Sequence, residues 1–344
     1  MVHTNLETRN KKTAVLGKGT FGCLSGIPTI NVTQGCMLGC VYCYARGYPG
    51  LPNPDTVILF SNLVQRLPGE LNRKRTPVSY VLFNTASDSF QPHPDILNTS
   101  VRLMEILLER DIGVSFLTKG VIPDRFFNML SGAPRVAPLV SARIGLVSLS
   151  DDYQQTFEPH AATPAQRLMN IERLREAGIQ TDVRIDPVIP FVTDGDQDFD
   201  LLFAELSARG VTRASISTLH LRPAIHAQFM ERLPSVSVRL IETLFQGSDW
   251  RTVGSSTMSK LATRTVRQRI YNRARERAAG HSITLTVCAC KNPDLPGDIC
   301  TEPPELRLNN STPPRQMNLP LGENTDPVHE RGTSECRIDK PAHG

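Results

Sequence analysis

Three cysteines, Cys36, Cys40 and Cys43, stand at C-x3-C-x2-C spacing within residues 31–44, N-V-T-Q-G-C-M-L-G-C-V-Y-C-Y. Thiolates this close in sequence can converge on one face of a small loop, and Gly35 and Gly39 let the backbone fold around what they hold. An iron–sulfur cubane held by three cysteines leaves one iron without a protein ligand. Such an open position is where substrate or cofactor binds a metal centre. The rival readings are a structural zinc site and three unrelated buried thiols. Zinc sites usually set C-x2-C against a second pair, and no His or Cys follows nearby to supply one. The spacing and its flanks together favour the cluster.

A second group lies near the other end of the chain. Cys288, Cys290 and Cys300 form C-x-C-x9-C, so thirteen residues hold three of the five remaining cysteines. Two residues apart on a strand, the first two sulfurs can face the same way. A second metal centre is expected, an auxiliary iron–sulfur cluster in preference to zinc. A redox-active thiol pair or a thiol hydrogen donor comes third. Cys336, Cys23, water or substrate is left as the fourth ligand, although Cys23 reads most simply as a lone thiol. Gly17, Gly19, Gly22 and Gly26 do not make a phosphate loop, because Gly-Lys-Ser/Thr at the end and a preceding strand are both missing.

The elements that must position these groups alternate. Strand-like runs at 29–33, 78–83, 113–117, within 138–149, at 182–186 and at 211–219 are separated by helical stripes at 95–110, from Pro123, after Thr163 and at 199–208. Thr163 is a good N-cap with Pro164 in the first turn, and Gly178 is placed to end that helix. Strands alternating with helices imply parallel βαβ units, about six of them. That is short of a closed eight-fold barrel. Residues 224–280 read as helical, 282–287 as a strand, and 301–344 as a poorly ordered tail.

At +4, from 38 basic and 34 acidic residues, net charge neither demands nor forbids nucleic acid. The arginines at 264, 267, 269, 273, 275 and 277 fall all around one helix, which favours a solvated face over a phosphate-binding one. No apolar run approaches the roughly 20 residues that span a bilayer. The N-terminus lacks a signal peptide's pattern. Eight cysteines without an export signal suggest metal ligation in a reducing cytoplasm.

The C-x3-C-x-Y-C-Y-A pattern ending at Tyr44-Ala45 resembles the cluster loop of the radical S-adenosylmethionine superfamily, and specifically its spore photoproduct lyase-like branch. The resemblance covers roughly residues 29–195. It implies a partial (β/α)6 TIM-type barrel, which the residue pattern places at 29–222, between a lead-in at 1–28 and a C-terminal helical, cysteine-rich extension at 223–300. It also implies a [4Fe-4S] cluster on Cys36, Cys40 and Cys43, whose open iron takes S-adenosylmethionine. By the same resemblance, Ser87 and Asp88 would receive the amino group, and Lys119 and Arg184 would face the carboxylate or ribose. Tyr42 would lie near the adenine. Against these stand an Asx-turn for Asp88, solvation for Lys119 and a structural pair of Arg184 with Asp186. Glu158-Pro159 with Arg167 resembles a further family segment.

One departure matters. The lyase itself has a hydrogen-donating cysteine just before the Ser-Asp pair, where this chain has Asn84-Thr85-Ala86. A hydroxyl holds its hydrogen too tightly to replace a thiol, which argues against thymine-dimer repair. The expected enzyme works with a reductant such as flavodoxin or ferredoxin, and a small molecule or peptide is favoured as substrate over nucleic acid. The rival outside enzymology is a non-catalytic, zinc-stabilised nucleic-acid binder. No membrane partner is expected.

Overall fold

In the computed structural model, residues 4–19, 22–48, 50–253 and 258–298 are described. Seven parallel strands form the centre: β1 (Pro28–Ile30), β2 (Tyr80–Phe83), β3 (Gly113–Thr118), β4 (Val140–Gly145), β5 (Gln180–Val188), β6 (Arg213–Thr218) and β7 (Thr284–Val287). Each pairs with its predecessor and the order never reverses. Parallel neighbours need a crossover between them. These crossovers carry the helices α1 (Leu63–Asn72), α2 (Pro94–Leu108), α3 (Asp124–Gly132), α4 (Asp151–Phe157), α5 (Pro164–Glu176), α6 (Asp196–Ala208), α7 (Pro223–Arg232), α8 (Ser235–Thr243) and α9 (Arg264–Gly280). A sheet wound in one direction is an open barrel, and all its strands finish at one rim.

Strands covered on both sides read as unbroken apolar runs. β2, Tyr-Val-Leu-Phe, is buried at every position. Val81, Phe83, Val114, Phe116, Ile144, Ile185 and Ile216 join one core with the inner faces of the helices. The N-terminus of α5 is set as its sequence implies. Thr163 Oγ1 accepts from Gln166 N while Gln166 Oε1 accepts from Thr163 N, a reciprocal capping box. Gly178, at φ +72°, takes the left-handed turn beyond its end.

Two expectations need correction. The strand at 282–287 does not stand in a separate extension: it pairs with β6 as β7. α9 makes this possible by burying Ile270, Tyr271, Ala274 and Ala278 while packing on α6 and β7. The barrel is therefore one βα unit longer than six repeats. Residues 224–280 are not helical throughout either. Left-handed Gly247 follows α8, and short strands at Arg251–Thr252 and Met258–Leu261 then build a small antiparallel sheet on His220–Leu221. A further small sheet joins Asn5–Arg9, Thr56–Phe60 and Thr33–Gln34, and it anchors the strand from which the first cysteine loop departs. Among the described residues no helix is long and apolar enough to cross a membrane. The expected tail at 301–344 lies outside the described residues.

Candidate functional site

A cavity of about 490 Å³ opens at the rim, and Cys36, Cys40 and Cys43 all line it. Their loop turns through Gly35 at φ +86° and Gly39 at φ +66°. A Cβ on Gly35 would lie 2.9 Å from the Thr56 carbonyl oxygen, so glycine is required for space as well as conformation. Buried Gln91 pins the loop: its Oε1 accepts from Met37 N at 2.8 Å and its Nε2 donates to Thr33 Oγ1 at 2.8 Å. From the far side, Val41 N donates to the Phe157 carbonyl.

Burial pushes the Cys36 and Cys40 thiols up, Cys40 to about 12. Both stay neutral unless a metal holds them as thiolates. Among the described residues, no three His, Cys, Asp or Glu side chains already surround one point as the ligands of a single ion do. The sulfurs that hold a cubane sit on different irons, so a glycine-hinged trio of thiols on a cavity wall fits that donor set.

The polar residues that finish the strands meet beside these sulfurs. Asp88 follows β2 and is buried. Its Oδ1 accepts from Phe90 N at 2.9 Å and Thr118 Oγ1 at 2.6 Å, and its Oδ2 from Lys119 N at 2.8 Å. The Asx-turn is thus present, and the carboxylate also ties the β2 rim to the end of β3. Burial raises the Asp88 carboxyl although these three donors oppose it. Ser87 is half-buried on the same wall.

Lys119 is not solvated. Its Nζ lies 3.1 Å from Glu158 Oε1, donates to the Tyr42 hydroxyl and sits 4.4 Å from the centre of the Tyr42 ring. Tyr42 in turn donates to Glu158, and Arg167 pairs with that same carboxylate. Arg167 is fixed by the Ala162 and Gly145 carbonyls at 2.8 and 2.9 Å. Burial alone would raise the Glu158 carboxyl, but Lys119 and Arg167 overcome it and hold it at about 2. The Tyr42 hydroxyl is therefore turned into this charge cluster, leaving the ring at the cavity.

Arg184 and Asp186 share a face of β5, as strand parity requires, and they pair, Nε to Oδ2 at 2.9 Å. Lys291, beyond β7, reaches the same Oδ2 at 2.6 Å. Sequence reasoning missed Arg143, His220, Arg222 and Lys291, which also line the cavity. His220 and Arg222 sit just past β6, where a search of strand endings extended to that strand would have found them. His220 is buried with Nε2 unpartnered, and burial and the Lys291 charge lower it to about 3, so it is neutral near pH 7.

The arginines of α9 divide: Arg264 and Arg269 are exposed as expected of a solvated face, while the others make ion pairs within the protein. Arg267 is 1% exposed and bonds Asn292 Oδ1 at 2.8 Å and Asp294 Oδ2 at 2.6 Å. Arg273 and Arg277 pair with Asp194, Asp196 and Asp200, and Arg275 with Asp298. Cys288 and Cys290 follow β7, their sulfurs 3.0 Å apart, with Cys23 Sγ 3.7 Å from that of Cys290. Cys300 and Cys336 lie outside the described residues.

Comparison with known proteins bears on family and fold. The model of the Radical SAM superfamily matches residues 30–204, just over half of the chain. The uncharacterized protein Rv2578c of Mycobacterium tuberculosis is 28% identical over 209 residues, covering 59% of this chain and 61% of that protein. The chain thus spans about three fifths of the length of that relative. A Radical SAM Nalpha-GlyT isomerase of Pseudomonas phage M6 is 25% identical over 176 residues, 51% of this chain and 35% of that one. In fold, the chain is similar to spore photoproduct lyase complexed with dinucleoside spore photoproduct, with a TM-score of 0.65 at 16% identity over 83% of this chain and 82% of that one.

Proposed function

Because this chain belongs to the radical SAM superfamily, we propose that Cys36, Cys40 and Cys43 hold its [4Fe-4S] cluster and that the cavity beside them receives S-adenosylmethionine and substrate together. When bound, that pair supplies one-electron cleavage of the sulfonium and a 5′-deoxyadenosyl radical, given a reductant. The chain's own residues bind, orient and exclude water. Ser87 and the unused acceptor capacity of Asp88 face the cofactor's ammonium, and Lys119 and Arg184 its carboxylate or ribose. The Tyr42 ring offers an apolar surface to the adenine. The Glu158–Arg167–Lys119 cluster keeps Lys119 charged and aimed, since a buried carboxylate held near 2 stays ionised throughout the physiological range.

The convergence of three cysteines with Ser87, Asp88, Lys119 and Arg184 on one cavity carries this reading. The substrate is a small molecule or peptide that donates a hydrogen atom. The pairing of α9's arginines within the protein weakens the case for a nucleic-acid track there. A second iron–sulfur cluster on Cys288, Cys290 and Cys300 would double the iron content.

Anaerobic reconstitution, reduction with dithionite and assay for 5′-deoxyadenosine test the reading. The expected result is at least about four irons per chain and release of the nucleoside, with the nucleoside and one cluster's worth of iron lost in Cys36→Ala. Iron-free protein, or nucleoside release that survives that substitution, overturns it.

A further inference from the structure

Two stretches that leave the barrel at the same rim are sewn to each other by side-chain hydrogen bonds. One is 31–37, which runs from the end of β1 into the cysteine loop. The other is 84–91, which follows β2 and carries Ser87 and Asp88. Asn84 Oδ1 accepts from Val32 N at 2.7 Å, and Asn31 Oδ1 accepts from Ala86 N at 3.1 Å. Asn84 stands at φ +50°, a left-handed turn that asparagine tolerates better than most residues, so the chain folds towards the cysteine loop as soon as β2 ends. Phe90 anchors the other end, edge-on to Phe116 and Phe126 with ring centroids 5.1 and 5.7 Å away.

Gln91 closes the seam. It is fully buried, accepts from Met37 N at 2.8 Å, and donates to Thr33 Oγ1 at 2.8 Å and to the Asp88 carbonyl at 2.9 Å. Thr33 gives its own hydroxyl hydrogen to the Gly35 carbonyl at 3.0 Å, so towards Gln91 it acts as the acceptor. Both amide hydrogens and the amide oxygen of Gln91 are thereby used. A carboxylate has no hydrogen for Thr33 or Asp88, and an apolar chain answers none of the three partners. A buried polar network whose members are all satisfied is rigid and specifies one arrangement. Resting on the radical-site reading above, we propose that Gln91 is the positioning residue that sets the cofactor's register on the open iron. It joins the cysteine loop to the Ser87–Asp88 segment, so the ammonium received at Asp88 arrives at a fixed distance from the cluster. Gln91 is not part of the cavity wall, so it acts through Met37, next to Cys36, and through Asp88.

The test compares full-length, anaerobically reconstituted wild type with Gln91→Met. The variant should keep its iron, because the three thiols are untouched. Misplacement by about 1 Å costs about a hundredfold in rate, so release of 5′-deoxyadenosine should slow by about that factor, with S-adenosylmethionine bound about tenfold more weakly. Electron paramagnetic resonance of the reduced cluster supplies a readout that a merely structural residue would not move. The change in g values that saturating S-adenosylmethionine induces in the wild type should shrink or vanish in the variant. A further readout needs no variant to fold: adding S-adenosylmethionine to the oxidised holoenzyme should slow amide hydrogen–deuterium exchange in 31–37 and 84–91 together. Slowing confined to 84–91 overturns the proposal, as does Gln91→Met with wild-type affinity and spectrum. If Gln91→Met takes up no iron, the wild-type exchange decides by itself. Wild type that assembles no iron or releases no nucleoside overturns the radical-site reading and this inference with it, so the two failures are told apart in the wild type.

Discussion

Two cysteine groups face one cavity and are built in opposite ways. Cys36, Cys40 and Cys43 come from eight consecutive residues, and their loop is held open by left-handed glycines and by Gln91 beneath it. Cys23, Cys288 and Cys290 come from opposite ends of the described chain, and two of their sulfur pairs are already in contact. Local spacing places three thiols on one wall of the cavity, beside the polar residues at the strand ends. Long-range convergence brings three thiols into sulfur–sulfur contact where the two ends of the described chain meet.

The largest expected effect is a difference in losses between the groups. Cys36→Ala should abolish the iron of the radical-site cluster and reduce 5′-deoxyadenosine to background, whereas Cys290→Ser should leave both in place. Iron analysis and the nucleoside assay on the two variants check this, and identical losses in both would break the comparison.

Next in size is Glu158→Gln. It strands Lys119 and Arg167 without their carboxylate, and removing one partner of a buried ion pair costs about 3–5 kcal/mol. The pH dependence follows from the sign of the shift. A carboxyl lowered from 4.5 to about 2 stabilises the fold fully above pH 4.5 and loses that contribution as pH falls towards 2. At neutral pH this is roughly 3 kcal/mol. Urea midpoints should therefore fall between pH 4.5 and 2 in the wild type, with a flatter profile in the variant.

Much of this is legible in the sequence where the signal is local. The cysteine spacing, the capping box at Thr163 and the strand run Tyr80–Phe83 depend on neighbours along the chain, and each occurs in the structure. What the sequence hides is non-local. Nothing near Cys23 shows that its turn meets a residue 267 positions away. Nothing near Arg267 shows that Asn292 and Asp294 will bury it, so its arginine-rich helix reads as a solvated face. The place of β7 in the barrel is hidden too, because pairing with β6 depends on α9 returning the chain and not on the composition of the strand. Arg184 with Asp186 is intermediate. Strand parity puts them on one face, but only the fold brings Lys291 to the same oxygen.

Asp186 is the non-covalent joint between the two regions, because it holds Arg184 of the radical site and Lys291 next to Cys290. Burial alone would raise its carboxyl, and Lys291 and Arg184 instead hold it well below the usual range. Asp186→Asn should cost about 1.5–3 kcal/mol in denaturant unfolding, the range for hydrogen bonds to charged groups. It should also weaken S-adenosylmethionine binding in equilibrium titration, since Arg184 loses its orienting partner. Unchanged affinity would separate the two regions and remove Arg184 from the cofactor site.

The smallest effect is expected on the outer face of α9. Arg273 and Arg277 are more than a third exposed, and their pairs with Asp194, Asp196 and Asp200 are screened by solvent, so Arg273→Ala with Arg277→Ala should change stability by less than about 1 kcal/mol. The same variant tests the substrate assignment. If the substrate lies in the rim cavity, removing these charges leaves any binding of single- or double-stranded DNA and RNA unchanged, with no change in its salt dependence. If α9 is instead a track for a phosphate backbone, affinity falls and the slope of log K against log salt flattens by close to one for each phosphate that the variant no longer neutralises. That outcome would move the substrate from the cavity to the outside of the barrel, because arginines already neutralised within the protein release no counterions on binding.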